Sequence, residues 1–294
     1  MRRLLPLFLM FVVMLPLLTC PQPALAFDFN DLKSKLKKYK KEAKKAKQEL
    51  DLATGRVGEK DEINIGRNVM SGLLGAAPLI DNAQLQQYVN RVGHWIALQS
   101  ERPDLPWSFG VIDSPNINAF AAPGGYIVMT AGLYQLLENE SQLAAVLAHE
   151  ISHVIEKHHL DAIRDTSQRE LLGSLAVKVT DEKHRDTMRK LVNSGVQIYA
   201  RGLDQRFEYG ADRRGVVLAA RSGYDPYAML DVLTTLSSIN SADESMAVFL
   251  NTHPPLNKRI ETLVSMMDLH LKNLKLAPDN QRLRQVNQQV AGQL

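Results

Sequence analysis

The chain has 294 residues, of which 45% are hydrophobic and 23% charged. These values are ordinary for a folded globular protein and exclude an intrinsically disordered one. The formal net charge of +3 hides an asymmetry, because residues 31–50 carry nine lysines against three acidic residues and residues 51–294 are net negative. A nucleic-acid-binding domain would spread basic side chains over a folded face, so we expect no nucleic-acid partner.

Residues 1–26 have the pattern of a secretory signal sequence. Arg2 and Arg3 precede an apolar run, and Ala24-Leu25-Ala26 forms a small-x-small cleavage site. The apolar run is shorter than a membrane-spanning helix and contains two prolines. We therefore expect export to the periplasm, with membrane association as an alternative. Cys20 is the only cysteine and precedes the expected cut. It would be removed with the signal sequence, unless it serves as a lipid acceptor.

Residues 27–58 are predicted to form a basic helix followed by a linker. Within residues 31–50, apolar side chains recur at alternating spacings of four and three, which is typical of an amphipathic helix with lysines on its other face. Such a helix can bind weakly to an anionic membrane surface. The alternative is a solvated helix that packs a narrow seam against the body or a second copy of the chain.

Residues 59–272 are predicted to form one mostly helical domain. The predicted elements are helices over 62–74 and 82–98, strands over 107–112, 118–122 and 126–129, and further helices after residue 130. Short strands among many helices indicate an α+β fold with a small antiparallel sheet. Residues 273–294 are predicted to form a helical tail that packs on the body through Val286, Val290 and Leu294.

The segment His149-Glu150-Ile151-Ser152-His153 carries the spacing of a metal site. Two histidines four residues apart project from one face of a helix, about one turn from each other, so both imidazoles can bind one zinc ion. Glu150 lies beside the first ligand, where it can accept a proton from the attacking water. A motif of five residues also arises by chance, so the interpretation depends on a third ligand.

Two residues compete for the place of the third ligand. His159 has the spacing of the metzincin pattern, but that pattern needs a glycine where this chain has Glu156. On a continuous helix His159 would lie about 15 Å from His149. Glu208, followed by Asp212 one helical turn later, fits better. We expect Glu208 to bind the zinc ion and Asp212 to accept a hydrogen bond from a ligand histidine.

Five spaced motifs together resemble the M48 (Ste24-like) metallopeptidases, and the likeness extends over residues 62–264. In chain order they are Asn118-Ala119-Phe120-Ala121-Ala122-Pro123-Gly124-Gly125-Tyr126-Ile127, Gly132-Leu133, His149–His153, Glu208–Asp212 and Thr252-His253-Pro254-Pro255. The chain is most similar to the short, soluble, exported bacterial members that lack a tetratricopeptide domain. The resemblance implies a gluzincin-like fold with one zinc ion per chain, His149, His153 and Glu208 as ligands, and Glu150 as general base.

Two further elements gain roles from this context. The strand that contains Asn118, Ala119, Phe120 and Ala121 is a candidate edge for an extended substrate, which would add to it by backbone hydrogen bonds. His253 is a candidate to donate a hydrogen bond to the oxyanion, or to occupy the open position on the zinc ion at rest. The remaining histidines are expected to be structural or exposed: His94, His158, His184 and His270.

These features predict a zinc-dependent endopeptidase that cleaves misfolded or misassembled cell-envelope proteins. The partners would be unfolded proteins, and an anionic membrane surface in weak contact with residues 31–50. A rival interpretation is an envelope chaperone or assembly factor whose protease site is latent or seldom used. A third is a membrane-surface adaptor that depends on residues 31–50.

Overall fold

The structure is a computed structural model that describes residues 57–162, 203, 205–270 and 281–290, together with 37, 38 and 42. Among these residues the helices are α1 (Glu59–Ala76), α2 (Ala83–Ala97), α3 (Ala131–Gln135), α4 (Glu140–Ile155), α5 (Gln205–Arg221), α6 (Ala228–Ser238), α7 (Ala247–Thr252), α8 (Leu256–His270) and α9 (Gln281–Val290). The strands are β1 (Ser108–Ile112), β2 (Ala119–Ala122) and β3 (Tyr126–Thr130).

The chain divides into two units, residues 1–46 and residues 47–294. The elements α1 to α9 and β1 to β3 all belong to the second unit. The expected signal sequence, Cys20 and most of the basic segment lie outside the described residues. None of the helices in the described part of the chain has the length and apolar character to cross a membrane.

The described strands form a mixed sheet in the order β1-β3-β2. β1 runs parallel to β3, with Phe109 opposite Ile127, and β2 runs antiparallel to β3, with Phe120 opposite Val128. The α+β class is confirmed, but the expectation of a wholly antiparallel sheet is wrong. Only β2 and β3 are joined by a tight turn, whereas residues 113–118 carry the chain past the position of β3, so that β1 and β3 point the same way.

The outer edge of β1 is completed by amide side chains of α2. Gln86 donates to Val111 O at 2.9 Å and accepts from Val111 N at 2.9 Å. One turn later, Asn90 accepts from Phe109 N at 3.0 Å and donates to Phe109 O. Two amides at positions i and i+4 thus take the place of a neighbouring strand. β2 forms the opposite edge of the sheet and packs against α4.

α4 is the central helix of the domain. Its first turn is capped by Asn139, whose side chain accepts from Gln142 N at 2.9 Å. Every residue from Glu140 to Val154 is buried, because helices and sheet pack around the whole circumference. α9 adds to this core through Leu283 and Val286, which are both buried. The side chain of Val290 and the whole of Leu294 lie outside the described part of the chain.

Glu62 joins α1 to the end of the central helix and to the β2–β3 turn. This buried carboxylate pairs with Arg102 at 2.7 Å and with Lys157 at 3.3 Å, and accepts from Gly124 N at 3.2 Å. Gly124 has a φ of +78°, a left-handed conformation that favours glycine. Burial alone would raise the pKa of Glu62, but the hydrogen bonds and charges of Arg102 and Lys157 lower it overall.

Glu62→Gln tests the energetic weight of this cluster. At pH 7 we expect the free energy of unfolding to fall by about 1–3 kcal/mol, because a charged hydrogen-bond partner is lost. The folded-state pKa of Glu62 is depressed, so its stabilisation is complete above the ordinary value of 4.5 and is lost as pH falls below it. Denaturant titrations from pH 7 to pH 3 should therefore show the difference between the two proteins shrinking. The control is Glu59→Gln, which changes an exposed partner of Arg102. It should lower the free energy of unfolding by less than about 1 kcal/mol.

Candidate metal centre and active site

The candidate site is built where α4 and α5 pack against each other. Gly215 of α5 lies against the main chain of His149, and a Cβ at this position would stand 3.0 Å from His149 Cα. This close approach places Glu208 and Asp212, one turn apart on α5, beside the two histidines of α4. All four side chains are at least 96% buried.

Potential ligand atoms of three residues converge at the junction of the two helices. His149 Nε2 lies 3.1 Å from His153 Nε2 and 3.6 Å from a carboxylate oxygen of Glu208, and His153 Nε2 lies 3.4 Å from the other oxygen. Donors at about 2.0–2.2 Å from a tetrahedral ion would stand about 3.3–3.6 Å apart. Glu208 Oε2 is buried and accepts no hydrogen bond from the described residues. The two distances to Glu208 lie near this range and the distance between the histidines is slightly shorter, so the spacing, with an oxygen that accepts no hydrogen bond, fits a bound cation.

Behind His149 a second carboxylate holds the imidazole in place. Asp212 Oδ1 lies 2.9 Å from His149 Nδ1, on the side of the ring opposite to Glu208. Burial alone would raise the pKa of Asp212, but the charge and hydrogen bonds of Arg259 lower it to about 2. An ionised Asp212 at this distance favours a hydrogen on Nδ1 of His149 and leaves Nε2 free to bind a metal ion.

Arg259 is a residue of the site that the sequence analysis did not identify. Its guanidinium donates twice to Asp212, from Nε at 2.8 Å and from Nη2 at 2.6 Å, and Nη1 lies 3.9 Å from Glu208. Arg259 is 1% exposed. The sequence does carry a signal, because Arg259 precedes Leu263 and Met267 by four and eight residues on α8, and both are buried apolar positions.

Glu150 lines a small cavity beside the converging ligands. The cavity has a volume of about 30 Å³, and its wall includes Asn118, Ala119 and His253. Burial raises the pKa of Glu150 to about 7, with a smaller contribution from the charge of Glu208. A carboxylate with this pKa can both accept and release a proton near neutral pH.

His253 reaches the same group of atoms from the connection between α7 and α8. Its Nε2 lies 3.7 Å from Glu208 Oε2, and its ligand atom groups with those of His149 and Glu208 within 4.8 Å. The ring stacks on Phe249 at 4.3 Å, and Nδ1 lies 3.2 Å from Phe249 O. A carbonyl oxygen only accepts, so Nδ1 carries the hydrogen and a neutral ring presents the lone pair of Nε2 to the site.

The segment after α4 departs from the continuous helix expected from sequence. α4 ends at Ile155, and Lys157 takes a φ of +59° without being a glycine. The chain therefore turns back, and His159 is buried with its ring 5.5 Å from that of His153. The expectation that His159 continues away from the site is wrong, because Lys157 supplies the turn that the missing glycine would have made.

The other histidines have different surroundings. His158, expected to be structural or exposed, is buried, and its Nδ1 lies 3.0 Å from Nδ1 of His153. His94 is exposed and lies edge-on to Phe109. His184 and the side chain of His270 lie outside the described residues.

The proposed substrate strand lies beside the cavity. Asn118 pairs with Thr130 of β3 through its main chain, so the alternation of an antiparallel pair turns the main-chain groups of Ala119 away from β3. Asn118 Oδ1 is buried and has no hydrogen-bond partner among the described residues. Phe120 is partly exposed, whereas the side chain of Ala121 is fully buried.

A helix with two histidines and a glutamate, completed by a carboxylate from a second helix, is the arrangement of the zincin metallopeptidases. Comparison with known proteins agrees with this class. Residues 83–267 match peptidase family M48, and the chain belongs to that family.

Three relatives illustrate how far the likeness extends. The chain is 32% identical over 205 residues to the "Beta-barrel assembly-enhancing protease" of Escherichia coli (strain K12), an alignment that covers 68% of this chain and 42% of that protein. It is 30% identical over 176 residues to "Mitochondrial metalloendopeptidase OMA1" of Schizosaccharomyces pombe, covering 60% and 51% of the two chains. It is 28% identical over 192 residues to the OMA1 protein of Bos taurus, an alignment that covers 62% of this chain and 37% of that protein. The chain thus spans about half or less of the length of these relatives.

Arg259→Met tests whether the arginine holds Asp212 in place. Removing the guanidinium leaves a buried carboxylate without its main partner, and we expect the free energy of unfolding to fall by about 3–5 kcal/mol. The matched control is Arg221→Met, because Arg221 pairs with Glu101 at an exposed site. Equal and small losses in both variants, measured by urea denaturation, would contradict the structural role of Arg259.

Proposed function

We propose that the chain is a zinc-dependent endopeptidase with one zinc ion held by His149, His153 and Glu208. The observation that carries the proposal is the convergence of three buried donor side chains with ligand atoms 3.1–3.6 Å apart, one oxygen of Glu208 accepting no hydrogen bond among the described residues. Two imidazoles and one carboxylate form a donor set typical of catalytic zinc, with a fourth position for substrate or water. When bound, the ion supplies Lewis acidity at the scissile carbonyl.

Glu150 is the proposed general base and acid. Its carboxylate belongs to the wall that also contains His149, so it faces the space where water and substrate would meet. Its pKa of about 7 suits a group that takes a proton from the attacking water and passes it to the leaving amine. Arg259 and Asp212 hold the imidazole of His149 and take no part in the proton transfer.

Substrate would lie along β2 in extended form. The main-chain groups of Ala119 point away from β3 beside the cavity, where they can pair with a peptide, and the amide of Asn118 has a free acceptor nearby. We propose that the segment of Asn118, Ala119, Phe120 and Ala121 binds substrate along this edge, with the main chain of Ala119 supplying the hydrogen bonds. Backbone pairing recognises an extended chain with little preference for its sequence.

We propose that the substrates are misfolded or misassembled cell-envelope proteins in the periplasm. Two observations support this location and class. The first 26 residues have the composition of a secretory signal. The relatives in Escherichia coli and related bacteria carry a name that joins proteolysis to β-barrel assembly. Weak contact of residues 31–50 with an anionic membrane would keep the enzyme near such substrates.

His253 supports the proposal that the site is closed at rest. Because Nδ1–H is directed at Phe249 O, Nε2 of the neutral ring has a lone pair and no hydrogen to give to an oxyanion. This favours the role of a fourth ligand in the resting enzyme over that of an oxyanion donor. It also gives weight to the alternative function, an envelope chaperone or assembly factor that seldom cuts.

Glu150→Gln tests the catalytic mechanism. We expect hydrolysis of casein by the purified chain to fall about 10²–10⁴-fold, because the general base is lost. Zinc content should remain one ion per chain, since Glu150 is not a proposed ligand, and a chelator should abolish the activity of the wild type. Glu156→Gln changes an exposed carboxylate just past the same helix and should be neutral.

Either of two results would count against an active peptidase. Hydrolysis that Glu150→Gln leaves unchanged would refute the role of Glu150. Undetectable turnover by the wild type, with client binding preserved in Glu150→Gln, would favour the chaperone.

His253→Ala separates the two roles of this histidine. If His253 competes with substrate for the fourth position, its removal should raise kcat/KM, and about 1.4 kcal/mol of competition corresponds to about tenfold. Loss of the oxyanion donor would instead lower kcat. Steady-state kinetics on one fluorogenic peptide, with zinc content measured in parallel, distinguishes the outcomes, and a fall in kcat would overturn the resting-ligand role.

A further inference from the structure

The two histidines of the proposed zinc site are supported from behind by different chemistry. His149 Nδ1 faces the ionised carboxylate of Asp212 at 2.9 Å. His153 Nδ1 instead faces Nδ1 of His158 at 3.0 Å, with the two rings inclined by 73°. A hydrogen bond between two ring nitrogens requires that one donates and the other accepts.

Zinc binding fixes the direction of that hydrogen bond. His153 Nε2 points to His149 and Glu208, so this nitrogen must carry a lone pair to bind the ion. The hydrogen of a neutral His153 is then on Nδ1, and His158 Nδ1 has to be the acceptor. A ligand histidine whose second nitrogen donates in this way is held in one tautomer and one orientation.

His158 is itself held in position by the helix that supplies the third ligand. Its ring stacks on Phe207 with centroids 4.3 Å apart and planes inclined by 18°. Phe207 immediately precedes Glu208 on α5. The turn at Lys157, with its φ of +59°, brings the chain back so that His158 lies between His153 and Phe207. His158 therefore links a ligand on α4 to the ligand-bearing turn of α5.

We propose that His158 is the positioning residue of His153, accepting its Nδ1–H and orienting its ring for zinc. The proposal rests on the proposed zinc site and adds to it a residue outside the three ligands, Glu150 and Asp212. His153 is oriented by His158, a neutral acceptor that stacks on Phe207. His149 is oriented by the carboxylate of Asp212, which is fixed by Arg259.

The test compares three substitutions at His158 by zinc affinity. In His158→Asn, the side-chain oxygen takes the place of Nδ1 and can accept the same hydrogen bond, whereas the polar group of His158→Gln reaches beyond it and His158→Leu has no acceptor. In competition with a chromogenic chelator, the Leu and Gln variants should bind zinc about 10–100-fold more weakly than the wild type. Losses of this size are typical when the hydrogen-bond partner of a ligand histidine is removed. The Asn variant should remain close to the wild type.

A second readout and a matched control separate positioning from folding. The visible spectrum of the cobalt-substituted protein should be the same in the wild type and His158→Asn, and altered in the other two variants. His94→Leu removes a histidine that also contacts an aromatic ring but lies away from the site, and it should leave zinc affinity unchanged. If His158→Leu fails to fold, the comparison of the Asn and Gln variants decides alone.

The outcomes distinguish this proposal from the zinc site on which it rests. One result would be tight zinc binding by the wild type, with binding abolished in His149→Ala and retained in all three His158 variants. That result would support the zinc site and overturn the role of His158. Equal loss in the Asn and Gln variants would also overturn it. A wild type that binds no zinc would overturn both.

Discussion

The site depends on burying carboxylates that water would otherwise solvate. Asp212 and Glu208 are both 2% exposed, and neither can remain ionised there without a cation close by. Arg259 provides that cation for Asp212, whose pKa it lowers to about 2. Glu208 keeps one oxygen without a hydrogen bond in the described part of the chain, although the histidines around it lower its pKa. Arg259 Nη1, at 3.9 Å from Glu208, supplies part of the compensating charge, and a cation where the ligand atoms meet would supply the rest.

This balance explains why the central helix is buried on every side. A metal site formed by residues four apart on one helix needs a second helix at contact distance, and Gly215 allows α5 to lie directly against the main chain of His149. α8 then places Arg259 behind Asp212. The sheet packs against α4 and brings β2 to the cavity. α5, α8 and β2 each contribute one part of the site, so the polar groups on α4 acquire partners instead of reaching solvent.

The sequence predicted which side chains lie close together where their proximity depends on local spacing. The pairs His149/His153 and Glu208/Asp212 are each four residues apart, and helical geometry alone places each pair on one face. Prediction failed where the partner is distant or the backbone is unusual. Arg259 meets Asp212 across 47 residues, and the parallel pairing of β1 with β3 depends on the path of residues 113–118. The turn at Lys157 was missed because a left-handed conformation outside glycine has no reliable sequence signal.

The size of the cavity constrains how such a site can work. A volume of about 30 Å³ is enough for a water molecule and too small to enclose a segment of peptide. His253 and Phe249 both belong to that wall, and they stack on each other across the end of α7. A six-residue helix has few internal hydrogen bonds to hold it, whereas α4 and α5 are long and packed. Movement of α7 would withdraw His253 from Glu208 and enlarge the cavity next to β2 in one step. If His253 is the fourth ligand of the resting enzyme, the same movement would free that position and widen the access of substrate to the cavity.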